Sequence, residues 1–229
     1  PDKIDVTFRA VVDKTHRIRA SSNHTATHLL HQALREILGN HVEQKGSMVN
    51  SRALRFDFSH FSKISKDQIS QIEEFVNSRI KENLLFEENR NTLMEKALAE
   101  GAIALFGEKY GDTVRTVRFG KSIELCGGTH VESTSKIWHF KIISESAIAA
   151  GIRRLEAITG DSCKIFFEEQ SNDLEKIKQL IKSPQNVVMA VENLQSEIHN
   201  LKNEIKNLSE SHLKSLKLEL LDKVKECNG

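Results

Sequence analysis

Leu54-Arg55-Phe56-Asp57-Phe58 alternates apolar and polar residues with period two, the signature of a strand with one face in a core. On its N-terminal side, Ala26, Leu29, Leu30, Ala33, Leu34, Ile37 and Leu38 recur at helical spacing and stop at Gly39. Ser21-Ser22-Asn23 precedes that helix as its expected N-cap. Residues 42–58 then read as a hairpin, with Gln44-Lys45-Gly46-Ser47 near a turn. On the C-terminal side, Ser65-x-x-Gln68 is a capping box opening a second helix with Ile69, Ile72, Phe75, Val76 and Ile80 inward. Helices and strands thus alternate irregularly, predicting an α+β fold with a mixed or antiparallel sheet and packed helices.

The pattern extends both ways. Residues 4–12 read as a strand, and Thr92-x-x-Glu95 as a capping box for a short helix ending at Gly101. From 102 to 148 the chain looks β-rich, with Trp138 to Ile143 a further strand candidate. Past Gly160 the character changes. Ser183-Pro184 is an expected helix start. Val187, Val191, Leu194, Ile198, Leu201, Ile205 and Leu208 follow at 4-3 spacing, an a/d seam that predicts a long helical hairpin or coiled coil. The Phe167–Ile181 stretch offers that seam a partner within the chain. The expected division is a domain over 1–160 and a helical segment over 161–229.

The chain has 229 residues with 33 Lys and Arg, 32 Asp and Glu, and a net charge of +1. Residues 1–60 carry nine basic against six acidic side chains, and the tail is slightly acidic, so any polyanion site belongs to the first 160 residues. No apolar run approaches the ~20 residues of a membrane span. Three cysteines fit a reducing, cytoplasmic setting better than a disulfide scaffold. The absence of an initiating Met and of a signal-peptide pattern suggests a piece of a longer protein.

Two segments carry chemistry. His24-Thr25-Ala26-Thr27-His28 places two imidazoles on one helix face, at i and i+4. Cys126-Gly127-Gly128-Thr129-His130 lies in a Gly-rich turn that can curl a thiolate and an imidazole together. The four side chains form a ligand set suited to one Zn2+. Four protein ligands nominally close such a site, so a structural metal and a catalytic one both remain open. His31 extends the helix series and is read as a polar-face or hydrogen-bonded histidine rather than a further ligand. No phosphate loop, dinucleotide fingerprint or nucleophile elbow occurs, and hence no ATP site. The cations Lys45, Arg52, Arg55, Arg153 and Arg154 could together hold an RNA backbone.

In this order these motifs resemble the editing region of alanyl-tRNA synthetases. The resemblance is carried by 23–30, 44–47, 54–58, Ala104 to Gly111, Glu124 to His130 and Gly151 to Ala157. It implies hydrolysis of the ester of Ser-tRNA(Ala) and Gly-tRNA(Ala) in support of translation fidelity, with the aminoacylation domain lying elsewhere. A pocket sized for alanine cannot strongly reject glycine or serine, hence a second hydrolytic site. The resemblance further implies His24, His28, Cys126 and His130 as zinc ligands. It places Gln44, Thr25, Thr27 and Arg154 at the reacting group. Lys45, Gly46, Ser47, Arg55, Gly127, Gly128, Thr129 and Arg153 would bind substrate. The implied partner is the acceptor end of tRNA(Ala), with a possible homodimer through the C-terminal helices. The alternatives are a free-standing or threonyl-type editing hydrolase, or a non-catalytic structural-zinc module for tRNA binding or dimerisation.

Overall fold

The structure, a computed structural model, describes residues 9–104, 110–182 and 184–226. The expected strand over 4–12 and the motif Ala104 to Gly111 therefore fall partly outside the described residues, as do Ser183 and Cys227; residues 9–12 form no strand. The elements are α1 (Lys14–Leu38), β1 (Gln44–Val49), β2 (Leu54–Ser59), α2 (Lys66–Lys81), β3 (Glu87–Leu93), α3 (Met94–Ala99), β4 (Thr113–Phe119) and β5 (Ser122–Leu125). A 3-10 turn (Thr134–Ile137) follows, then β6 (Phe140–Ala149), β7 (Ile152–Thr159), α4 (Gly160–Leu180) and α5 (Val187–Glu226). The strands form an antiparallel four-stranded sheet of order β1-β2-β7-β6 and an antiparallel three-stranded sheet, β3-β4-β5. This is the α+β architecture expected from the sequence.

The alternation of β2 sends Leu54, Phe56 and Phe58 into the main core. There they join Leu29, Leu30 and Leu34 of α1, Ile72 and Val76 of α2, and Leu155 of β7. Burying side chains of this size stabilises by roughly 1.5–3 kcal/mol each. β6 is an edge strand, and α2 blunts it. Asn77 donates to Phe140 O and accepts from Phe140 N, while Glu73 accepts from Ile142 N at 2.8 Å.

Several boundaries differ from the sequence reading. α1 starts at Lys14, where the Asp13 carboxylate accepts from His16 N at 2.9 Å. Ser21, Ser22 and Asn23 are buried inside the helix, not capping it. They survive there because tertiary partners satisfy them: Asn23 donates to Asn50 O at 2.8 Å and accepts from Thr159 Oγ1 at 2.7 Å. The segment 44–47 is strand, and the hairpin turn is Asn50 to Ala53, closed by the Asn50 side chain accepting from Arg52 N and Ala53 N. The capping box at Ser65 is present. Thr92 instead belongs to β3, where it is buried facing Thr116, and Leu93 precedes α3 without a side-chain cap. β6 begins at Phe140, after Trp138 takes a positive φ of 68°.

Two compact units divide the chain, residues 1–167 and 168–229. In the second, α5 begins at Val187, three residues beyond Pro184, and the Asn186 side chain caps it by accepting from Met189 N. The seam residues Leu194, Ile198, Leu201 and Ile205 are all exposed, as are Leu174 and Ile177 of α4. The expected closure of α5 by the preceding helix is not formed. α4 has 21 residues against 40 in α5 and could cover only part of the seam. Among the described residues no helix is long and apolar enough to cross a membrane.

Candidate metal centre

α1 and the loop after β5 meet in the first unit. His24, His28, Cys126 and His130 offer one ligand atom each, all within 4.8 Å of one another. Cys126 Sγ lies 3.5 Å from His24 Nε2 and 3.3 Å from His130 Nε2. The His24 and His130 rings stack at 4.3 Å between centroids, and the His28 ring meets His130 at 4.6 Å. The histidine pair sits in the middle of α1, not on its first turn, so a rigid and buried stretch of helix presents it.

Two of the imidazoles, His24 and His130, are oriented by a hydrogen bond at their other nitrogen, the arrangement that fixes the tautomer of a ligating histidine. His24 Nδ1–H donates to Thr129 O at 3.3 Å. His130 Nδ1 meets Thr25 Oγ1 at 3.0 Å. His28 Nε2 lies 3.5 Å from a Glu124 carboxylate oxygen. The opposite nitrogen, His28 Nδ1, is buried and has no hydrogen-bond partner in the structure. A buried polar atom without a partner is costly unless something accepts its lone pair. With three imidazoles and one thiol, the cluster fits a metal of the Zn2+ class.

Electrostatics keep the ligands competent. Burial, helped by the neighbouring His28, pushes His24 down to about 4. Burial, with His28 and His24 beside it, also pushes His130 well below the usual histidine range. These two imidazoles are therefore neutral at pH 7, as metal binding requires. Burial would raise the Glu124 carboxyl, but His28 and His31 outweigh it and hold the group below its ordinary value. His31 Nδ1 bonds the second Glu124 oxygen at 3.0 Å, which makes it a partner of the carboxylate.

The loop reaches α1 because Gly128 lacks a side chain. A Cβ there would collide with the His24 ring. Beside the loop opens a cleft of about 550 Å3, lined by Phe86, Glu88, Arg90, Arg115, Gly127, Gly128, Thr129 and His130. A second cleft of about 360 Å3 touches His130 from the other side, lined by Arg17, Ile18, Ser21, Val131, Glu132 and Lys136.

The remaining sequence candidates divide. Thr25 is fully buried, where it holds His130 and accepts from Val131 N; Thr27 donates to Asn23 O of its own helix. Gly127, Gly128 and Thr129 border the first cleft. Gln44 donates to Ser47 on β1, and Lys45 pairs with Glu43. Arg154 forms a bidentate pair with Asp57 at 2.7 and 2.8 Å, joined by Arg55 at 3.6 Å, and a Cβ at Gly46 would contact Asp57. Arg153 pairs with Glu145. This second group is built on β1, β2 and β7 and is held together by its own ion pairs. Sequence reasoning missed Glu124 and Arg115. The signal for Glu124 was a carboxylate two residues before Cys126, between the apolar Ile123 and Leu125.

Residues 114–156 match the family model described as the threonyl and alanyl tRNA synthetase second additional domain. Over its full 229 residues the chain is 57% identical to an alanine–tRNA ligase of Christiangramia forsetii and 53% identical to one of Flavobacterium psychrophilum. Each match covers 26% of the relative. An alanine–tRNA ligase of Porphyromonas gingivalis is 49% identical over 191 residues, which are 83% of this chain and 22% of that protein. The chain thus spans about a quarter of the length of the curated relatives it matches.

Proposed function

Because the chain is related along its whole length to a segment of alanine–tRNA ligases, we propose that it is an editing module of that enzyme type, hydrolysing the ester of Ser-tRNA(Ala) and Gly-tRNA(Ala). The supporting observation is the convergence of His24, His28, Cys126 and His130 beside an open cleft. A bound Zn2+ would polarise the ester carbonyl or lower the pKa of a water. Everything else in the reading belongs to the chain's own side chains. Thr129 O and Thr25 hold the His24 and His130 imidazoles in place, and the Glu124 carboxylate stands 3.5 Å from His28 Nε2. Gly127, where a Cβ would meet nothing within 4 Å, leaves its stretch of the cleft wall bare, so that an aminoacyl ester can approach the backbone closely. The acceptor end of tRNA(Ala) is the proposed partner, in the cytoplasm. The exposed α5 seam supports a homodimer through the C-terminal helices.

The test is deacylation. Cys126→Ala should abolish hydrolysis of Ser-tRNA(Ala) while circular dichroism stays that of the parent. Equal hydrolysis by the variant removes the metal from the reading. Faster hydrolysis of Ser-tRNA(Thr) than of Ser-tRNA(Ala) by the parent would favour a threonyl-type editing module instead.

A further inference from the structure

Two of the four ligands sit at the ends of a Cys126-Gly127-Gly128-Thr129-His130 loop whose centre is two glycines. Glycine has the largest backbone freedom to lose, so such a loop holds Cys126 and His130 apart or together almost indifferently unless something outside it fixes the backbone. From one side α1 does so: His24 Nδ1–H reaches Thr129 O, and Ser21 Oγ donates to Thr129 Oγ1 at 3.2 Å. From the other side a single guanidinium acts. Arg115 Nη1 on β4 donates to Cys126 O at 2.6 Å and to Gly128 O at 2.9 Å, bridging the Cys126–Gly127 and Gly128–Thr129 peptides. The strand adds a backbone bond, Cys126 N to Arg115 O at 3.1 Å. Arg115 is itself fixed. Its Nε donates to a Glu88 carboxylate oxygen on β3 at 2.7 Å, and its Cζ stands 6.0 Å from the Phe86 ring centroid.

We propose that the Arg115–Glu88 pair is a positioning clamp for the metal centre: it freezes the Gly-Gly loop so that Cys126 and His130 are presented at ligating distance before any ion arrives. The rigid guanidinium keeps Nη1 on the two carbonyls while Nε of the same plane stays on Glu88; a lysine ammonium would be a point donor on a flexible stem. The inference rests on the reading of the cluster as a metal site. Outer contacts of this kind are typically worth about 10–100-fold in metal affinity.

The experiment titrates the metal-free 229-residue chain with Co2+, reading the thiolate charge-transfer and tetrahedral ligand-field bands, beside a thermal melt of each metal-free protein. The parent should bind one equivalent. Arg115→Ala should bind about 10–100-fold more weakly. Arg115→Lys should fall in between, and Glu88→Gln should weaken binding by a smaller factor. The metal-free melts of Arg115→Lys and Glu88→Gln should stay at the parent value, which a merely structural ion pair would not allow. Affinities within twofold of the parent in Arg115→Ala, or in Arg115→Lys and Glu88→Gln should Arg115→Ala fail to fold, overturn the clamp while leaving the metal site intact. A parent that binds no Co2+ overturns the metal reading and the clamp with it.

Discussion

The backbone of Gly128 lies against the Cε1 and Nδ1 atoms of the His24 ring, with no room between them for even a methyl group. That contact sets how closely the loop approaches α1. Gly128→Ala should therefore push the loop off the helix and separate Cys126 from His24. Metal content after purification should fall sharply, while the core is untouched and unfolding in urea shifts by about 1–3 kcal/mol at most. Wild-type metal content in Gly128→Ala would show that the loop can retreat without cost to the site.

Thr25 tests positioning against substrate contact. Its hydroxyl is fully buried, against His130 Nδ1 and Val131 N. Thr25→Val keeps the shape and removes the oxygen, and should weaken metal binding about tenfold or more. Thr25→Ser should restore it. A Thr25→Val protein with parental metal affinity but a raised KM for aminoacyl-tRNA would instead place Thr25 on the substrate.

Asp57 and Arg154 are register partners across β2 and β7, so their fork-to-fork pair ties the two central strands. Asp57 is buried, and its removal leaves Arg154 and Arg55 beside each other without the carboxylate they share. Asp57→Ala should cost about 2 kcal/mol, the range for hydrogen bonds to charged groups. A double-mutant cycle with Arg154→Ala in urea measures the coupling, and additivity of the two substitutions would show that the pair contributes nothing.

Cys163 gives a pH signature. Burial pushes its thiol up to about 12, and the sulfur lies 3.2 Å from Ile158 O. A raised pKa in the folded state favours the neutral thiol there. Its contribution to stability is complete below the unfolded value near 9 and is lost as pH rises towards 12. The stability difference between the parent and Cys163→Ala should be flat to pH 9 and then shrink. A constant difference across that window would contradict the assignment.

The ligand set was legible in the sequence because its two halves are local. An i, i+4 pair on a helix and a Cys-x-x-x-His turn each announce themselves within five residues. What orients them was not legible, because those partners are remote. Glu124 meets His31 across 93 positions of chain, and Thr25 meets His130 across 105. The same physics explains the misplaced start of α1. Ser21-Ser22-Asn23 has the composition of a cap, and only the distant Asn50, Thr129 and Thr159 make such residues tolerable within a helix. Periodicity located β2 and α2 correctly because their apolar faces dominate. The seam of α5 was legible as a pattern, but a heptad repeat does not say what will cover it.

The central pairing of β2 with β7 also sets a timetable. As the chain leaves the ribosome, the histidine helix and the β1–β2 hairpin are complete early. Yet Asp57 must wait 97 residues for Arg154, and the histidines about a hundred for their cysteine. Contacts so far apart are slow to close, because loop entropy is lost before any pairing compensates for it. Until residue 159 has emerged, the hydrogen-bonding edge of β2 that takes β7 has no neighbour. Until then that strand edge is open to mispairing, and the central pair of the four-stranded sheet closes only after both of its strands have emerged.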